Sequence, residues 1–488
     1  MLLATSLLAL CSLICALGLT PLIRDIFLKL GLVDHPTGGR KIHSGPIPRA
    51  GGVSIVASMA LSIGLTAALG VWEPFLYNPA IQFLIRLLPA VAVIFVVGLL
   101  DDIVTLKPWQ KLAGQLLAAV MAYTAGLRVT GIAGYSSESW LTLPLTVGWL
   151  LLCTNAFNLI DGVDGLASGI GLFATLTMLL AGILDKDSAL VLAAVLLAAA
   201  LLGFLRYNFN PATVFLGDSG SLLLGFLLGC FGVIWGRSGA SVNFKTATVF
   251  GMAAPLMAMF VPILDVALSI CRRFLRGQPI FGADRGHVHH RLLDRGLTPR
   301  RVVFLLYGAC AFGAVLSLLL WGQQNLYGGF VVLLFCAGTW IGIRHLGYAE
   351  FRAAHKVVTG GTLQRMINMN VQLGEFESAL ESCESFDQAW EQMCEQCHKL
   401  GFAAVKLNFA GGIIEEKFGS QFGSTSHECW RIVIPVGDGA LLYLSVTQDA
   451  AQSVSVMMPL VRVISTKLPQ RTRAVNYEPA AVAAFSGR

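Results

Sequence analysis

The chain has 488 residues, of which 55% are apolar and only 13% are charged, and its mean hydropathy is +0.71. Soluble globular domains carry about 25% charged residues, so the composition excludes a wholly soluble enzyme as well as disordered, collagen-like and disulfide-scaffold proteins. The formal net charge of +6 is unevenly distributed, because residues 1–349 carry +8 and residues 350–488 carry −2. The sequence therefore predicts a polytopic membrane protein with an appended domain of ordinary charge density.

Eleven apolar segments come close to the length of about 20 residues that a bilayer crossing requires. In chain order they cover residues 2–23, 51–71, 81–100, 112–128, 141–160, 166–184, 188–205, 219–236, 246–271, 302–321 and 328–345. The first segment has no basic n-region and no small-residue cleavage site, so we interpret it as a retained anchor rather than a signal peptide. Residues 1–345 are thus predicted to form an all-α transmembrane domain of about 11 helices.

Lysine and arginine residues are concentrated in one set of the loops between these segments. Sixteen of them lie in alternate loops on one side, and five lie in the loops on the opposite side. Because cytosolic loops carry the excess of Lys and Arg, the pattern predicts a multi-pass membrane protein whose N-terminus is outside. The chain after residue 345 is then predicted to be cytosolic.

Acidic residues and histidines gather in the loops of the predicted cytosolic side. They are, together with one asparagine, Asp101, Asp102, Asn158, Asp161, Asp164, Asp218, His287, His289 and His290. Ionised groups beside hydrocarbon are costly and usually functional, and Mg²⁺ binds through one or two carboxylates plus substrate phosphates. The same loops supply cations suited to phosphate oxygens, namely Lys41, Arg49, Arg285 and Arg291. The cluster therefore predicts phosphoryl chemistry with a divalent metal at the cytosolic membrane surface.

Five motifs follow one another over roughly residues 1–345, at Arg40–His43 with Pro48–Gly52, Gly98–Asp102, Asn155–Gly165, Phe215–Ser221 and His287–Arg291. Together they closely resemble the motifs of the polyprenyl-phosphate N-acetylhexosamine-1-phosphate transferases. Enzymes of this family transfer a sugar-1-phosphate from a UDP-sugar to a lipid phosphate and release UMP. The resemblance implies undecaprenyl phosphate as acceptor and favours UDP-N-acetylglucosamine as donor, without fixing the sugar. The His-Val-His-His-Arg string is similar to the branch that starts O-antigen, common-antigen or teichoic-acid synthesis.

The resemblance also implies a division of roles among the candidate residues. Asp218 and Asn158 are expected to ligate Mg²⁺, with Mn²⁺ as an alternative metal. The catalytic candidates are Asp101, Asp102, Asp161, Asp164, His289 and His290. The substrate-binding candidates are Lys41, His43, Arg49, Phe215, His287 and Arg291.

Within this division, Asp101 and Asp102 are expected beside the acceptor phosphate, where one of them keeps it deprotonated. A covalent intermediate on an aspartate stays open. Phe215 is expected to stack on uracil, and the histidines with Lys41 and Arg291 are expected to hold diphosphate oxygens. Asp265, in the ninth apolar segment, is a further candidate because acids buried in membrane helices are usually functional, although pairing with Arg272 or a neighbouring helix explains it equally well.

Two other functions stay open at this stage. A polytopic transporter with a regulatory domain would place ionisable residues near the bilayer midplane and often show an internal repeat, whereas these acids lie at segment ends. A phospho-MurNAc-pentapeptide transferase is the second alternative, and the His-Val-His-His-Arg string argues against it because that branch tends to have three consecutive histidines. We expect no nucleic-acid partner, and the sequence leaves a homodimer open.

Residues 346–470 are predicted to form a cytosolic α+β domain, followed by a disordered tail over residues 471–488. In chain order we predict a helical stretch, three strands and a closing helix, at Thr362–Gly401, Ala403–Phe409, Trp430–Pro435, Leu441–Val446 and Ser453–Leu468. This order of elements resembles a GAF-type sensor module. A scaffold or dimerisation role fits the same pattern, since a fold does not determine a function.

Overall fold

A computed structural model describes most of the chain, which divides into two compact units, Met1–Glu350 and Phe351–Arg488. The first unit is helical, and the second combines helices with one antiparallel sheet. The described residues are 2–34, 45–72, 77–129, 131–132, 135–136, 139–238, 252–275, 286–322, 327–346, 373–383, 385–399, 402–409, 412–418, 430–436, 440–446, 461 and 463–465.

The first unit is built from long apolar helices, as expected where each backbone polar group needs a partner within its own segment. The helices are α1 (Leu2–Lys29), α2 (Gly51–Ala68), α3 (Pro79–Val104), α4 (Pro108–Thr124), α5 (Ser139–Ile160), α6 (Leu166–Leu184), α7 (Ser188–Asn208), α8 (Gly217–Ser238), α9 (Ala253–Ala258), α10 (Phe260–Leu275), α11 (Val288–Asp294), α12 (Pro299–Gly322) and α13 (Gly328–Leu346). Two antiparallel pairs of short strands accompany them, β1 (Val33–Asp34) with β2 (Ile47–Pro48) and β3 (Gly131–Ile132) with β4 (Tyr135–Ser136).

Among the described residues, nine helices are long and apolar enough to cross a bilayer, namely α1, α2, α3, α5, α6, α7, α8, α12 and α13. They confirm the prediction of a mostly helical, multi-pass membrane protein, but not its count of eleven crossings. Helix α4 has 17 residues, which is the lower limit for a crossing. The predicted segment 246–271 begins outside the described residues, and its remainder is interrupted at Met259, between α9 and α10.

Short turns join α3 to α4, α5 to α6, and α7 to α8. Because a short connection makes consecutive helices antiparallel neighbours, the end of one helix and the start of the next lie on the same side of the bundle. Asp101, Asn158 and Asp218 lie at such ends. The topology therefore brings motifs that are far apart in the sequence to one end of the helical unit.

Helix α8 lies at the centre of this unit, with α2, α3, α5, α6 and α7 packed around it. Glycines let α2 and α3 approach its first turn closely. A Cβ atom added at Gly98 would lie 2.5 Å from the carbonyl oxygen of Asp218, and one added at Gly52 would lie 2.4 Å from the backbone nitrogen of Gly220. The start of α8 is thus held between two neighbouring backbones.

Replacing Gly98 with alanine is expected to destabilise the protein, because the added methyl group must displace the backbone of α8. Overpacking of a close-packed interior costs about 1–3 kcal/mol. Gly64→Ala in α2 is the matched control, since no heavy atom lies within 4 Å of a Cβ built there. We expect the midpoint of thermal unfolding in detergent to fall for Gly98→Ala only; equal midpoints for the two variants would contradict the close approach.

The described part of the second unit contains two helices, at residues 373–382 (α14) and Phe386–Lys399 (α15), a four-stranded antiparallel sheet, and helical residues at 461 and 463–465 within the predicted closing helix. The strands are β5 (Ala404–Phe409), β6 (Gly412–Lys417), β7 (Trp430–Pro435) and β8 (Leu441–Val446), in the order β6-β5-β8-β7. Side chains of both helices and of the sheet share one core, including Leu380, Met393, Val405 and Leu444.

The strands of this unit confirm the predicted mixture of helices and strands. Strand β6 was not predicted, because its sequence Gly-Ile-Ile-Glu-Glu-Lys is charged and lies at the exposed edge of the sheet. The likeness to a GAF-type module stays a prediction. The tail at residues 471–488 lies outside the described part of the chain.

Candidate active site

A cavity of about 500 Å³ opens where the turns before α6 and α8 meet α5 and α11. This volume is typical of sites for small molecules and cofactors. Seven of the residues that the sequence singled out contribute to its lining, namely Arg49, Asn158, Asp161, Asp164, Phe215, Asp218 and His290. The structure therefore brings residues of four of the five motifs to one cavity.

Asp218, in the first turn of α8, is connected to side chains from three other helices. Its Oδ1 atom accepts hydrogen bonds from Asn158 Nδ2 and, at 2.9 Å, from Lys111 Nζ. The same Lys111 ammonium lies 2.7 Å from Asp101 Oδ2 and 3.2 Å from Asn158 Oδ1. Oxygen atoms of two carboxylates and one amide thus surround a single cation.

Carboxylate and amide oxygens of this kind are the ligands that Mg²⁺ prefers, usually with substrate phosphates completing the coordination. Among the described residues, no group of three or more His, Cys, Asp or Glu side chains is arranged to hold a metal ion. A metal at Asp218 and Asn158 would therefore rest on few protein ligands. The donor set fits Mg²⁺ better than zinc, whose structural sites use thiolates and imidazoles.

Asp102 makes contacts quite unlike those of its neighbour Asp101. Its two carboxylate oxygens accept hydrogen bonds from the backbone N–H groups of Asp218 and Ser219, each at 2.8 Å. Gly217 has a φ of +74°, and a Cβ atom added there would lie 2.7 Å from Asp102 Oδ2. A carboxylate at a helix N-terminus satisfies amides that have no partner within the helix and interacts favourably with the helix dipole. Asp102 therefore fixes the start of α8, and a catalytic role for it stays a prediction.

Asp161 and Asp164 both line the cavity from the turn between α5 and α6. Burial, together with the negative charges of Asp218 and Asp102, raises the pKa of Asp161 well above the usual range of a carboxyl group. Asp164 Oδ2 accepts hydrogen bonds from Asn210 Nδ2 and from the backbone nitrogen of Ala212, both at 3.0 Å. Asp161 is thus suited to hold a proton. Asp164 instead stabilises, through its hydrogen bonds, the segment between α7 and α8.

Arg49 and Phe215 reach the cavity from two segments that are joined through their main chains. The backbone nitrogen of Phe215 donates to the carbonyl oxygen of Pro48 at 2.9 Å, and Gly51 donates to the carbonyl oxygen of Phe215 at 2.9 Å. The Arg49 guanidinium lies 2.8 Å from Asp34 Oδ1. An aromatic ring and a partly exposed cation therefore belong to the same wall of the cavity.

The histidine motif extends from the membrane helices to this cavity. His287 Nδ1 lies 2.9 Å from Asp265 Oδ2. The rings of His287 and His289 are parallel with centroids 5.8 Å apart, and the His289 and His290 centroids are 4.3 Å apart. Of the three, only His290 belongs to the described lining of the cavity. His289 packs behind that lining, since a Cβ atom at Gly162 would lie 2.6 Å from its Nε2.

His289 is neutral in the folded protein. Burial lowers its pKa to about 4, although the charge of Asp265 acts in the opposite direction. Its Nδ1 atom is buried and has no hydrogen-bond partner among the described residues. An imidazole in such surroundings excludes a proton that the unfolded chain takes up at mildly acidic pH.

We therefore expect acidification to destabilise the protein through His289. Between its ordinary pKa of 6.5 and about 4, the unfolded state binds the proton and the folded state does not, so stability falls with decreasing pH by up to about 3 kcal/mol. Asp161 contributes with the opposite sign, because its raised pKa makes the folded state bind the extra proton. His289→Gln isolates the histidine: between about pH 7 and pH 5, its thermal midpoint should fall less than that of the wild type. Parallel curves would contradict the prediction.

The remaining candidates are Lys41, His43 and Arg291. Lys41 and His43 fall outside the described residues. Arg291 Nη1 donates to the carbonyl oxygen of Leu346 at 3.4 Å, and it does not belong to the described cavity lining. Their predicted roles stay predictions.

Two residues at the site were missed by the sequence analysis. Lys111 counted there only as a basic loop residue, and Asp34 was not considered. The signal for Lys111 was its position at a predicted helix end on the same side as Asp101 and Asp102. Asp34 had no signal of its own, because its pairing with Arg49 depends on strands β1 and β2 being adjacent.

Comparison with known proteins identifies the family of this chain. Residues 84–236 match the model of glycosyl transferase family 4. The chain is 38% identical over 304 residues to the probable undecaprenyl-phosphate N-acetylglucosaminyl 1-phosphate transferase of Bacillus subtilis (strain 168), across 61% of this chain and 79% of that protein. It is 34% identical over 319 residues to the decaprenyl-phosphate N-acetylglucosaminephosphotransferase of Mycobacterium tuberculosis (strain CDC 1551 / Oshkosh), across 61% and 78%.

A more distant relative is the undecaprenyl-phosphate alpha-N-acetylglucosaminyl 1-phosphate transferase of Escherichia coli (strain K12), at 29% identity over 308 residues, across 61% of this chain and 78% of that protein. The shared region includes the helices that carry Asp101, Lys111, Asn158 and Asp218. The chain therefore belongs to glycosyl transferase family 4, the polyprenyl-phosphate N-acetylhexosamine-1-phosphate transferases that its five motifs resemble.

Proposed function

We propose that the protein transfers N-acetylglucosamine-1-phosphate from UDP-N-acetylglucosamine to undecaprenyl phosphate, giving a lipid-linked diphospho-sugar and UMP. The relatives named above support the acceptor class and the sugar. The observation that carries the proposal is the convergence of Asp101, Asn158 and Asp218 on one cation beside the cavity. Such a product would begin the membrane stage of cell-surface polysaccharide synthesis.

The chief obstacle to this reaction is charge, because a lipid phosphate must approach a nucleotide diphosphate. An enzyme lowers such a barrier by fixed cations and by alignment rather than by covalent chemistry. Lys111, Arg49 and His290 are the described side chains that would meet phosphate oxygens. Asp218 and Asn158 would hold Mg²⁺, which when bound neutralises diphosphate charge and polarises the phosphorus–oxygen bond that breaks.

In this proposal an oxygen of the lipid phosphate attacks the β-phosphorus of the UDP-sugar, and the bond to the α-phosphate oxygen breaks to release UMP. We assign to Asp101 the removal of the proton from a singly protonated lipid phosphate, and Lys111, 2.7 Å from Asp101 Oδ2, would neutralise the charge of the deprotonated phosphate. Asp161, whose raised pKa favours its protonated form, would donate a hydrogen bond within the cavity. Phe215 stacks on the uracil ring, and Asp102 acts by holding α8, so that Asp218 faces the cavity.

The charge distribution of the loops supports a cytosolic active site in the inner membrane, with the N-terminus outside. UDP-sugars would then reach the cavity directly, while the acceptor phosphate would come from the inner leaflet. The charge pattern also predicts a cytosolic position for the chain after residue 345. For the second unit we propose a sensing or dimerisation role, which the order of its helices and strands supports.

The experiment is to measure UMP release by purified protein given undecaprenyl phosphate, Mg²⁺ and a panel of UDP-sugars. The panel includes UDP-N-acetylglucosamine, UDP-N-acetylgalactosamine and UDP-MurNAc-pentapeptide. Release that requires both lipid and metal, with UDP-N-acetylglucosamine as the best donor, would support the proposal. Release with the pentapeptide donor would reassign the branch, and no release from folded protein would favour transport.

A further inference from the structure

Helix α10 presents three polar side chains on one face, at Asp265, Ser269 and Arg272. Spacings of four and three residues place them in line along the helix. Their residues are 1%, 7% and 2% exposed, so all three are withdrawn from solvent. A polar stripe buried to this degree needs partners, because an unpaired polar group in the interior is costly.

The partners of the stripe are found in the three residues that lead into α11. Asp265 Oδ1 accepts the backbone N–H of Val288 at 2.7 Å, and Asp265 Oδ2 lies 2.9 Å from His287 Nδ1. Arg272 Nη1 donates to the carbonyl oxygen of Gly286 at 2.9 Å, and Arg272 Nη2 lies 3.4 Å from Ser269 Oγ. Side chains on one face of α10 therefore form hydrogen bonds with both the backbone and a side chain of the segment Gly286–Val288.

Asp265 also determines the state of the His287 ring. A carboxylate only accepts hydrogen bonds, so Nδ1 of His287 carries a hydrogen and donates it to Asp265. This contact fixes both the tautomer and the plane of the ring, as an acid beside a histidine commonly does. The His289 ring is parallel to the His287 ring within 3°, so the orientation of His287 also constrains that of His289.

The far end of this row of rings is the cavity. His290 is the next ring after His289, at 4.3 Å between centroids, and it contributes to the cavity lining. A buried ion or hydrogen-bonded pair adds little stability compared with apolar packing. What the Asp265 contacts supply is therefore orientation of a short helix of seven residues, which has little stability by itself.

We propose that Asp265 is a positioning residue for the transfer reaction, holding the start of α11 through His287 and Val288 so that His290 is presented to the cavity. Ser269 and Arg272 complete this clamp. The inference rests on the proposed function, because it concerns the same site. Asp265 itself does not line the cavity, and it acts through the residues it holds.

The test compares Asp265→Asn with Asp187→Asn. Asp187 is the matched control because its Oδ1 accepts the first amides of α7, from Ala189 at 3.0 Å and Leu190 at 3.1 Å. Asp187 precedes the first residue of α7, whereas the cavity lies at the last residue of this 21-residue helix, about 30 Å away. We expect Asp265→Asn to lower kcat about 10- to 100-fold with KM for the UDP-sugar nearly unchanged, and Asp187→Asn to leave kcat unchanged.

A second readout does not depend on turnover. Imidazole ¹⁵N–¹H spectra of histidine-labelled protein, which has nine histidines, should show a changed Nδ1–H signal for one ring in Asp265→Asn and for none in Asp187→Asn. Failure of the wild type to release UMP would overturn the proposed function, while the spectra would still test the clamp. An unchanged spectrum overturns the clamp, and an unchanged kcat overturns the positioning role.

If Asp265→Asn does not fold, Gly286→Ala replaces it. A Cβ atom there would lie 2.3 Å from the Arg272 guanidinium carbon, so the methyl group displaces the Arg272 guanidinium from the Gly286 carbonyl. We expect a smaller fall in kcat, again with KM nearly unchanged. Wild-type kcat in folded Gly286→Ala would overturn the proposal.

Discussion

Asp218→Asn is expected to leave the protein folded while lowering metal-dependent UMP release at least about 1,000-fold, comparable to the loss of a principal electrostatic group in other enzymes. The amide keeps an oxygen that accepts the hydrogen bond from Lys111, so the packing of α8 is preserved. It removes the negative charge, however, and a neutral pair of amides at Asn158 and residue 218 has little affinity for a divalent cation. Turnover measured across a range of Mg²⁺ concentrations tests this expectation.

The control for this variant is Asp187→Asn, another acid at the start of a membrane helix but outside the site. Stabilisation by Mg²⁺ supplies an independent measurement, since a ligand that binds only the folded state raises the thermal midpoint in proportion to its binding. We expect Mg²⁺ to raise the midpoint of the control and of the wild type but not that of Asp218→Asn. Near-normal turnover in Asp218→Asn would show that the metal is held elsewhere.

The sequence identified the acids of this site but not the division of work among them. Asp101 and Asp102 are adjacent and were both predicted beside the acceptor phosphate, with one of them keeping it deprotonated; in the structure Asp101 contacts Lys111 and Asp102 holds the start of α8. Adjacent residues of a helix point about 100° apart, so they meet different partners. Those partners lie far along the chain, and only the packing of α3 against α4 and α8 determines which carboxylate meets which.

The same limit explains what was missed around Asp265. Composition and periodicity predicted a buried acid in an apolar helix, but its partner, His287, comes 22 residues later. Membrane helices themselves were predictable because hydropathy reports on the environment of a whole segment. The number of crossings was less predictable, because the hydropathy pattern counts a 17-residue helix and an interrupted helix in the same way as a full crossing.

Two helices that carry site residues are fixed in the same manner. Asp102 of α3 accepts the first amides of α8, and Asp265 of α10 accepts the first amide of α11. In each case a carboxylate of one helix sets the start of another, where the functional side chains lie. Among the described acids of this membrane domain, Asp102 and Asp265 therefore hold the starts of helices, whereas Asp101 and Asp218 contact the Lys111 ammonium and Asp161, Asp164 and Asp218 line the cavity.

Lys111→Met is expected to change metal binding and turnover in opposite directions. Only 18% of the lysine side chain is exposed, so its charge is poorly screened and it competes directly with a metal for Asp218 Oδ1. Removing this competitor should tighten Mg²⁺ binding about tenfold, equivalent to about 1.4 kcal/mol. Turnover should nevertheless fall at least about 100-fold, because the reaction loses a cation that faces the phosphate groups.

Calorimetric titration of Mg²⁺ without substrates, together with UMP release, measures both effects. Lys107→Met is the matched control, since Lys107 precedes the same helix and is exposed to solvent. The combination of tighter metal binding and slower turnover separates competition from a simple structural defect, which would weaken both. Unchanged Mg²⁺ affinity in Lys111→Met would contradict the prediction, because it would mean that the ammonium does not compete with the metal for Asp218 Oδ1.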